Sequence, residues 1–174
     1  MKRTDPELIK ELATRVDYDP ETGHFTWKPG TRKFGRTIFP GERAGDLAPH
    51  GYYRLSIRNT KVSAHIVAWY IVYGEIPDLP IDHINQDKAD NRIANLRVVS
   101  QSVNFLNSDR SHLNKNGLSG VTKVGRKFYS RVSLNRKLYH VGSFDTPEEA
   151  NAAYMKKKAQ LIAENVRALQ SEER

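Results

Sequence analysis

Asp82-His83-Ile84-Asn85-Gln86-Asp87-Lys88-Ala89-Asp90-Asn91-Arg92-Ile93-Ala94-Asn95-Leu96-Arg97-Val98-Val99, followed by Asn104, is the stretch that decides how this chain is read. Ile81 to Ile84 reads as a strand and Asn95 to Val99 as its return, with turn chemistry between them. Ser100 is placed to cap a helix running to about Asn107. A carboxylate, an imidazole and several amides therefore gather on one short hairpin and one helical turn. Such a set can hold one hard metal ion through oxygen ligands and deprotonate one water. The imidazole suits the second task because its pKa lies near working pH. Adjacent strand residues point to opposite faces, so Asp82 and His83 can share a site only at a distortion or a strand end.

The bulk of the chain fits chemistry on a polyanion. Its 174 residues carry 28 Lys and Arg against 20 Asp and Glu, a net charge of +8 that favours nucleic acid as partner. The length suits one ordinary domain or two small ones with a modest core. Cysteine is absent from the sequence, which excludes disulfides, thiolate zinc sites and cysteine nucleophiles. Met1-Lys2-Arg3-Thr4-Asp5 leads into a polar segment, so no secretory signal is read there. The longest apolar run, Ala64 to Tyr73, is interrupted by His65 and is too short to cross a bilayer.

Working outward, residues 7–16 have the spacing of a short amphipathic helix, with Leu8, Ile9, Leu12 and Val16 near one face. Residues 17–23 read as a turn, His24 to Trp27 as a strand, and residues 28–50, rich in Gly, Pro and Arg, as irregular loop. Gly51 to Ile57 and Lys61 to Ser63 predict a hairpin closed near Asn59-Thr60. A helix over 64–73 follows, ended by Gly74 and Pro77. His65 opens that apolar helix and reads as structural, and His24, His50 and His112 have no constellation around them. Asp90-Asn91-Arg92 reads as a turn held by its own side chains, with Arg92 also able to reach phosphate. Arg97 leaves the motif on a strand and is open to two readings, clamping the scissile phosphate or being solvated.

Asp82-His83, Asn95-Leu96-Arg97 and Asn104 closely resemble the HNH nuclease motif, most of all the homing-endonuclease type found in phages and introns. Tyr18-Asp19-Pro20-Glu21-Thr22-Gly23, Gly51-Tyr52, His65, Tyr73-Gly74-Glu75-Ile76-Pro77 and Asp90-Asn91-Arg92 match as well, over about residues 15–107. The resemblance implies a ββα-metal fold in which His83 is the general base and Asn95 orients it through a hydrogen bond. It implies Asp82 and Asn104 as ligands of one Mg²⁺ (or Mn²⁺) per active site, with Asn104 standing where the family name has its last histidine. An amide oxygen is a harder ligand than imidazole and suits Mg²⁺ better than zinc.

The C-terminal part has a different pattern. Gly120 to Lys123, Lys127 to Leu134 and Lys137 to Phe144 suggest three strands, and Thr146-Pro147-Glu148-Glu149-Ala150 opens a helix with an N-cap, a first-turn proline and acids at the positive end of the dipole. Basic residues Lys123, Arg126, Lys127, Arg131, Arg136 and Lys137 stand between Gly117 and Phe144 without an acid among them. Alternation puts Phe128, Ser130 and Val132 toward the helix and Tyr129, Arg131 and Ser133 on the free side, where a sheet can enter a groove. Gly120-Val121, Phe128, Val132, Val141-Gly142-Ser143-Phe144, Thr146 to Ala150 and Ala153-Tyr154 resemble an AP2-type DNA-binding domain over about 117–162. Carried over, Tyr129, Arg131, Ser133 and His140 lie on the DNA face. Tyr139 and Phe144 read most simply as core. The first loop lacks the arginine and tryptophan of plant members, so sequence preference does not carry over.

The expectation is an α+β chain. It has an HNH endonuclease domain at 1–108 with a ββα-metal core, a linker at 109–116, an AP2-like domain at 117–165 with a three-stranded antiparallel sheet on one helix, and a polar tail at 166–174. The expected function is metal-dependent hydrolysis of double-stranded DNA. The other readings are a non-catalytic DNA-binding regulator with a decayed nuclease domain, and an RNA-processing nuclease. A cytoplasmic location, the host cytosol if phage-encoded, is expected. So is a monomer or weak dimer, with no membrane partner and no small-molecule cofactor beyond the metal.

Overall fold

The Asp5 carboxylate accepts the Glu7 N–H (3.0 Å) and Pro6 fills the first turn, so α1 (Pro6–Arg15) starts and stops one residue ahead of the predicted helix. The computed structural model describes residues 5–30, 32–33, 36–39, 41–108 and 118–172. The chain packs as two units, Met1–Arg97 and Val98–Arg174.

In the first unit, β1 (Val16–Asp19) pairs antiparallel with β2 (His24–Trp27). Residues 17–19, expected as turn, are strand because Val16 and Tyr18 alternate inward; the turn itself is Pro20 to Gly23, tied by the Asp19 carboxylate to Glu21 N and Thr22 Oγ1. The stretch expected as loop also holds short strands: β3 (Arg32–Lys33) pairs with β4 (Arg36–Thr37), and β5 (Asp46–Leu47) edges a sheet of order β5-β6-β7. In that sheet β6 (Tyr53–Ile57) and β7 (Thr60–Ser63) are joined by Arg58 and Asn59. Both turn residues have positive φ (47° and 61°), the two-residue hairpin geometry that matches strand twist, and the turn falls one residue before the expected position. α2 (Ala64–Tyr73) has the predicted bounds and ends on left-handed Gly74. β8 (Ile81–His83) pairs with β9 (Leu96–Val98), which follows a single 3₁₀ turn at Ile93–Asn95. Leu12, Phe25, Trp27, Leu55, Val62 and Val67 are the centre of this unit's core.

The second unit begins with α3 (Gln101–Asn107), capped as predicted by Ser100, whose Oγ accepts the Val103 N–H (3.3 Å). β10 (Val121–Val124), β11 (Lys127–Leu134) and β12 (Lys137–Phe144) form an antiparallel sheet in that order, and α4 (Pro147–Glu172) covers it. Thr146 and Glu149 exchange N–H bonds through their side chains (3.3 Å each), a complete capping box. Ser130, Val132 and Leu134 are buried while Tyr129, Arg131 and Ser133 are exposed, the alternation the sequence predicts.

Two boundaries differ from expectation. Val99, Val103 and Leu106 pack with Val132, Leu134, Tyr154, Leu161 and Ile162, so α3 joins the second unit by packing rather than closing the domain expected at 1–108. The linker expected at 109–116 lies outside the described residues. Residues 166–172, read as polar tail, are the last two turns of α4. Nothing from Asn165 to Glu172 breaks a helix, Val166 packs on the core, and Asn165 Oδ1 accepts from Ser100 Oγ (3.2 Å).

Candidate active site

The strand-end condition set by the sequence is met: β8 is three residues long and stops at His83. His83 and Asp82 are both buried, at 4% and 7% exposure. The hairpin they open is closed by Ile84 N–H donating to Asn95 O (2.9 Å). Between them, Asp87 N–H donates to Asn85 Oδ1 (2.9 Å), Ala89 N–H to Asp87 Oδ1 (2.9 Å), and Asn85 Nδ2 to Asp90 Oδ2 (2.8 Å). Arg92 forks the Asp90 carboxylate through Nε (2.8 Å) and Nη2 (2.6 Å). These bonds hold Asp90 down to about 2, chiefly through Arg92. The loop is therefore braced by its own side chains, as read for Asp90-Asn91-Arg92.

The β1–β2 turn docks on this loop. Tyr18 Oη donates to Asn91 O (2.7 Å) and Ile93 N–H to Pro20 O (3.1 Å). Gly23, at φ +72°, lies so close that a Cβ would sit 2.5 Å from Arg92 N. A turn far upstream in the sequence thereby braces the loop that carries Asn91.

Asn95 has a different part from the one expected. Its Oδ1 accepts Asn85 N–H (3.0 Å), and its Nδ2 donates to Asn85 Oδ1 (2.9 Å) and Asp90 O (2.9 Å). Because its backbone pairs with Ile84, its side chain meets residue 85 across the loop mouth rather than the imidazole. The side chain beside His83 is that of Asn91, buried at 2% exposure, whose Nδ2 also donates to Ala89 O (3.0 Å). Burial lowers the His83 pKa below its ordinary value; Asn91 and the charges of Asp82, Asp90 and Asp87 oppose this without reversing it. The imidazole is thus neutral at neutral pH and able to accept a proton.

A wall of rings lies against it. His65 meets His83 edge-on at 5.1 Å between centroids, and Tyr52 lies 5.9 Å from His83 and 5.6 Å from His65. Burial, with His83 adding to it, pushes His65 down to about 3, so it stays neutral. His50 stacks edge-on to Tyr52 (5.5 Å), and Lys88 Nζ stands 5.1 Å over the Tyr52 ring. His65, which the sequence reads as structural, lies against the candidate base. The sequence alone does not mark Tyr52, His50 and Lys88 as neighbours of His83, because their partners are distant in it; Lys at the loop and an aromatic after Gly51 carry no periodic signal.

Arg97 is not the solvated residue of one of its two readings. Its Nε (3.0 Å) and Nη2 (2.8 Å) both donate to Asp82 Oδ2, and its side chain is 19% exposed. Asn104 sits half-buried in mid-α3, in the second unit. No group of three or more His, Cys, Asp or Glu side chains is gathered for a metal among the described residues.

In the second unit every basic or polar residue assigned to a DNA face (Lys123, Arg126, Lys127, Tyr129, Arg131, Ser133, Arg136, Lys137 and His140) is exposed. Between β11 and β12 the register slips at Ser130/Arg131. There a hollow of about 550 Å³ is lined by Tyr129, Arg131, His140, Thr122, Val124 and Gly142 among others.

Comparison with known proteins adds one finding. Residues 62–106 match the HNH endonuclease family, a span that runs from β7 through α3 and contains Asp82, His83, Asn95, Arg97 and Asn104. That match points to a nuclease acting on DNA, of a family that generally uses a divalent ion. No curated protein and no solved structure matches the chain.

Proposed function

We propose that this chain is a divalent-metal-dependent endonuclease that hydrolyses phosphodiester bonds in double-stranded DNA, of the homing type found in phages and introns. The observation that carries the reading is a buried, neutral His83 at a strand end beside Asp82, inside the segment matched to the HNH family. His83 takes the proton of the attacking water on an imidazole nitrogen. Asn91 favours the protonated ring that results, and His65 and Tyr52 keep bulk water from it. Asn95 holds the loop that carries Asn91 and Asp90.

A hard divalent ion, Mg²⁺ or Mn²⁺, fits the donor chemistry. Asp82 is a buried carboxylate already held beside one cationic group, and Asn104 offers an amide oxygen. Asp82 would be a ligand of the ion, which when bound would supply charge stabilisation at the phosphate and the leaving oxygen.

The second unit serves as the DNA-reading module of AP2 type. Its exposed basic sheet face binds duplex, and Arg131, Tyr129 and His140 around the hollow make the closest approach. Two modest grips on one duplex multiply through their tether. The chain acts as a monomer or weak dimer, one active site cutting one strand per event.

Incubation with supercoiled plasmid tests the function. The full chain relaxes or linearises the plasmid with Mg²⁺ and is silent with a chelator, and structured RNA is cut far more slowly. Tight duplex binding with no cutting in Mg²⁺ or Mn²⁺ refutes the endonuclease reading and leaves a regulator.

A further inference from the structure

Asp82 and Arg97 form the most buried of the described ion pairs, with side chains 8% and 19% exposed. Both bonds of the fork land on one oxygen, Oδ2. A carboxylate this buried is stabilised by a positive partner, and Arg97 supplies one. The arginine therefore supplies what a divalent ion on the same carboxylate would supply. Two cations on one carboxylate repel each other, and the guanidinium cannot shed its charge.

We infer that Arg97 is a built-in competitor for the divalent ion at Asp82: it neutralises the carboxylate in the metal-free protein and loosens from Oδ2 when the ion binds. This rests on reading Asp82 as a metal ligand. Two consequences follow from the geometry. Metal affinity of the free protein is set low by the cost of loosening the fork. Loosening also releases a planar two-donor group beside the scissile position, where it matches a phosphate better than a lysine would. Metal and DNA phosphate then support each other: the phosphate takes up the arginine that the ion displaces.

The test uses the full chain without DNA and Mn²⁺ alone as probe, read by calorimetric titration and by the rise in Tm that Mn²⁺ produces. Arg97→Gln removes the charge, and its Mn²⁺ affinity is expected to rise roughly tenfold or more, the worth of one charge-assisted hydrogen bond. Its Mn²⁺-induced Tm rise should exceed that of the wild type. Arg97→Lys, which keeps the charge but loses the fork, should fall between the two and guards against poor folding of the Gln variant. Equal or weaker Mn²⁺ binding in both variants, with binding still abolished by Asp82→Asn, overturns the competitor role and leaves Asp82 as ligand. Mn²⁺ binding that survives Asp82→Asn undiminished overturns the metal reading of Asp82 and the inference with it.

Discussion

Asn95→Ala separates a residue that builds the site from one that performs chemistry. Asn95 is 7% exposed, and its side chain makes three bonds, to Asn85 N, Asn85 Oδ1 and Asp90 O, at 2.9–3.0 Å. Truncation removes all three and leaves a backbone donor, a backbone acceptor and an amide oxygen at the loop mouth. Asn85 Oδ1 keeps the Asp87 N–H, and water can reach this exposed loop, so the penalty falls short of three fully buried orphans. At about 1 kcal/mol net per bond, with part of the desolvation cost added, the loss is about 2–4 kcal/mol. Both tryptophans, Trp27 and Trp69, lie in the first unit, so indole fluorescence reports that unit's unfolding. With a urea slope of roughly 2 kcal/mol/M, the midpoint should drop by about 1–2 M. Asn85→Ala removes one of the same bonds, that from Asn95 Nδ2 to Asn85 Oδ1, so the double variant should cost less than the two single losses added, by about 1 kcal/mol. If Asn95→Ala keeps the wild-type midpoint while cutting is lost, Asn95 acts on the chemistry and the bracing account is wrong.

Gly23→Ala should destabilise the first unit by more than about 1 kcal/mol, since φ is +72° and the new Cβ meets the Arg92 backbone; an unchanged urea midpoint would contradict the docking of this turn on the loop. Asp90 has a folded pKa of about 2, below its unfolded value, so its stabilisation is present above about pH 4 and is lost as pH falls toward 2; Asp90→Asn should therefore show a smaller loss of urea midpoint between pH 5 and pH 3 than wild type. Arg131→Ala should weaken duplex binding and reduce its salt slope by about one if the contact is to phosphate, as measured by anisotropy titrations at several salt concentrations.

The parts of the fold that were readable from sequence are those with local causes. The apolar run 64–73 between Ser63 and Gly74 specifies α2, and the period-two alternation of 128–134 specifies the buried side of β11. Ser100 and Thr146 announce their helices by capping chemistry. What escaped depends on long-range packing. Tyr18 looks like a turn residue until its hydroxyl is seen on Asn91 O, 73 residues away. Asn91 reads from sequence like its turn neighbours, but the short β8–β9 hairpin brings it to the imidazole while Asn95 faces Asn85. Arg97 stands opposite Asp82 on paired strands, and strand pairing alone brings the two together. The short strands within 28–50 have two residues each, too few for alternation to register.

Single-turnover cleavage of a bound duplex decides whether His83 is the base of a DNA-cutting centre. Wild type and His83→Ala are compared at saturating protein in Mg²⁺, with duplex affinity measured in parallel. His83→Ala should keep the wild-type affinity and cut at a rate lower by roughly 10²–10⁴-fold, the usual contribution of a positioned base. A folded His83→Ala protein that cuts at the wild-type rate would contradict that role.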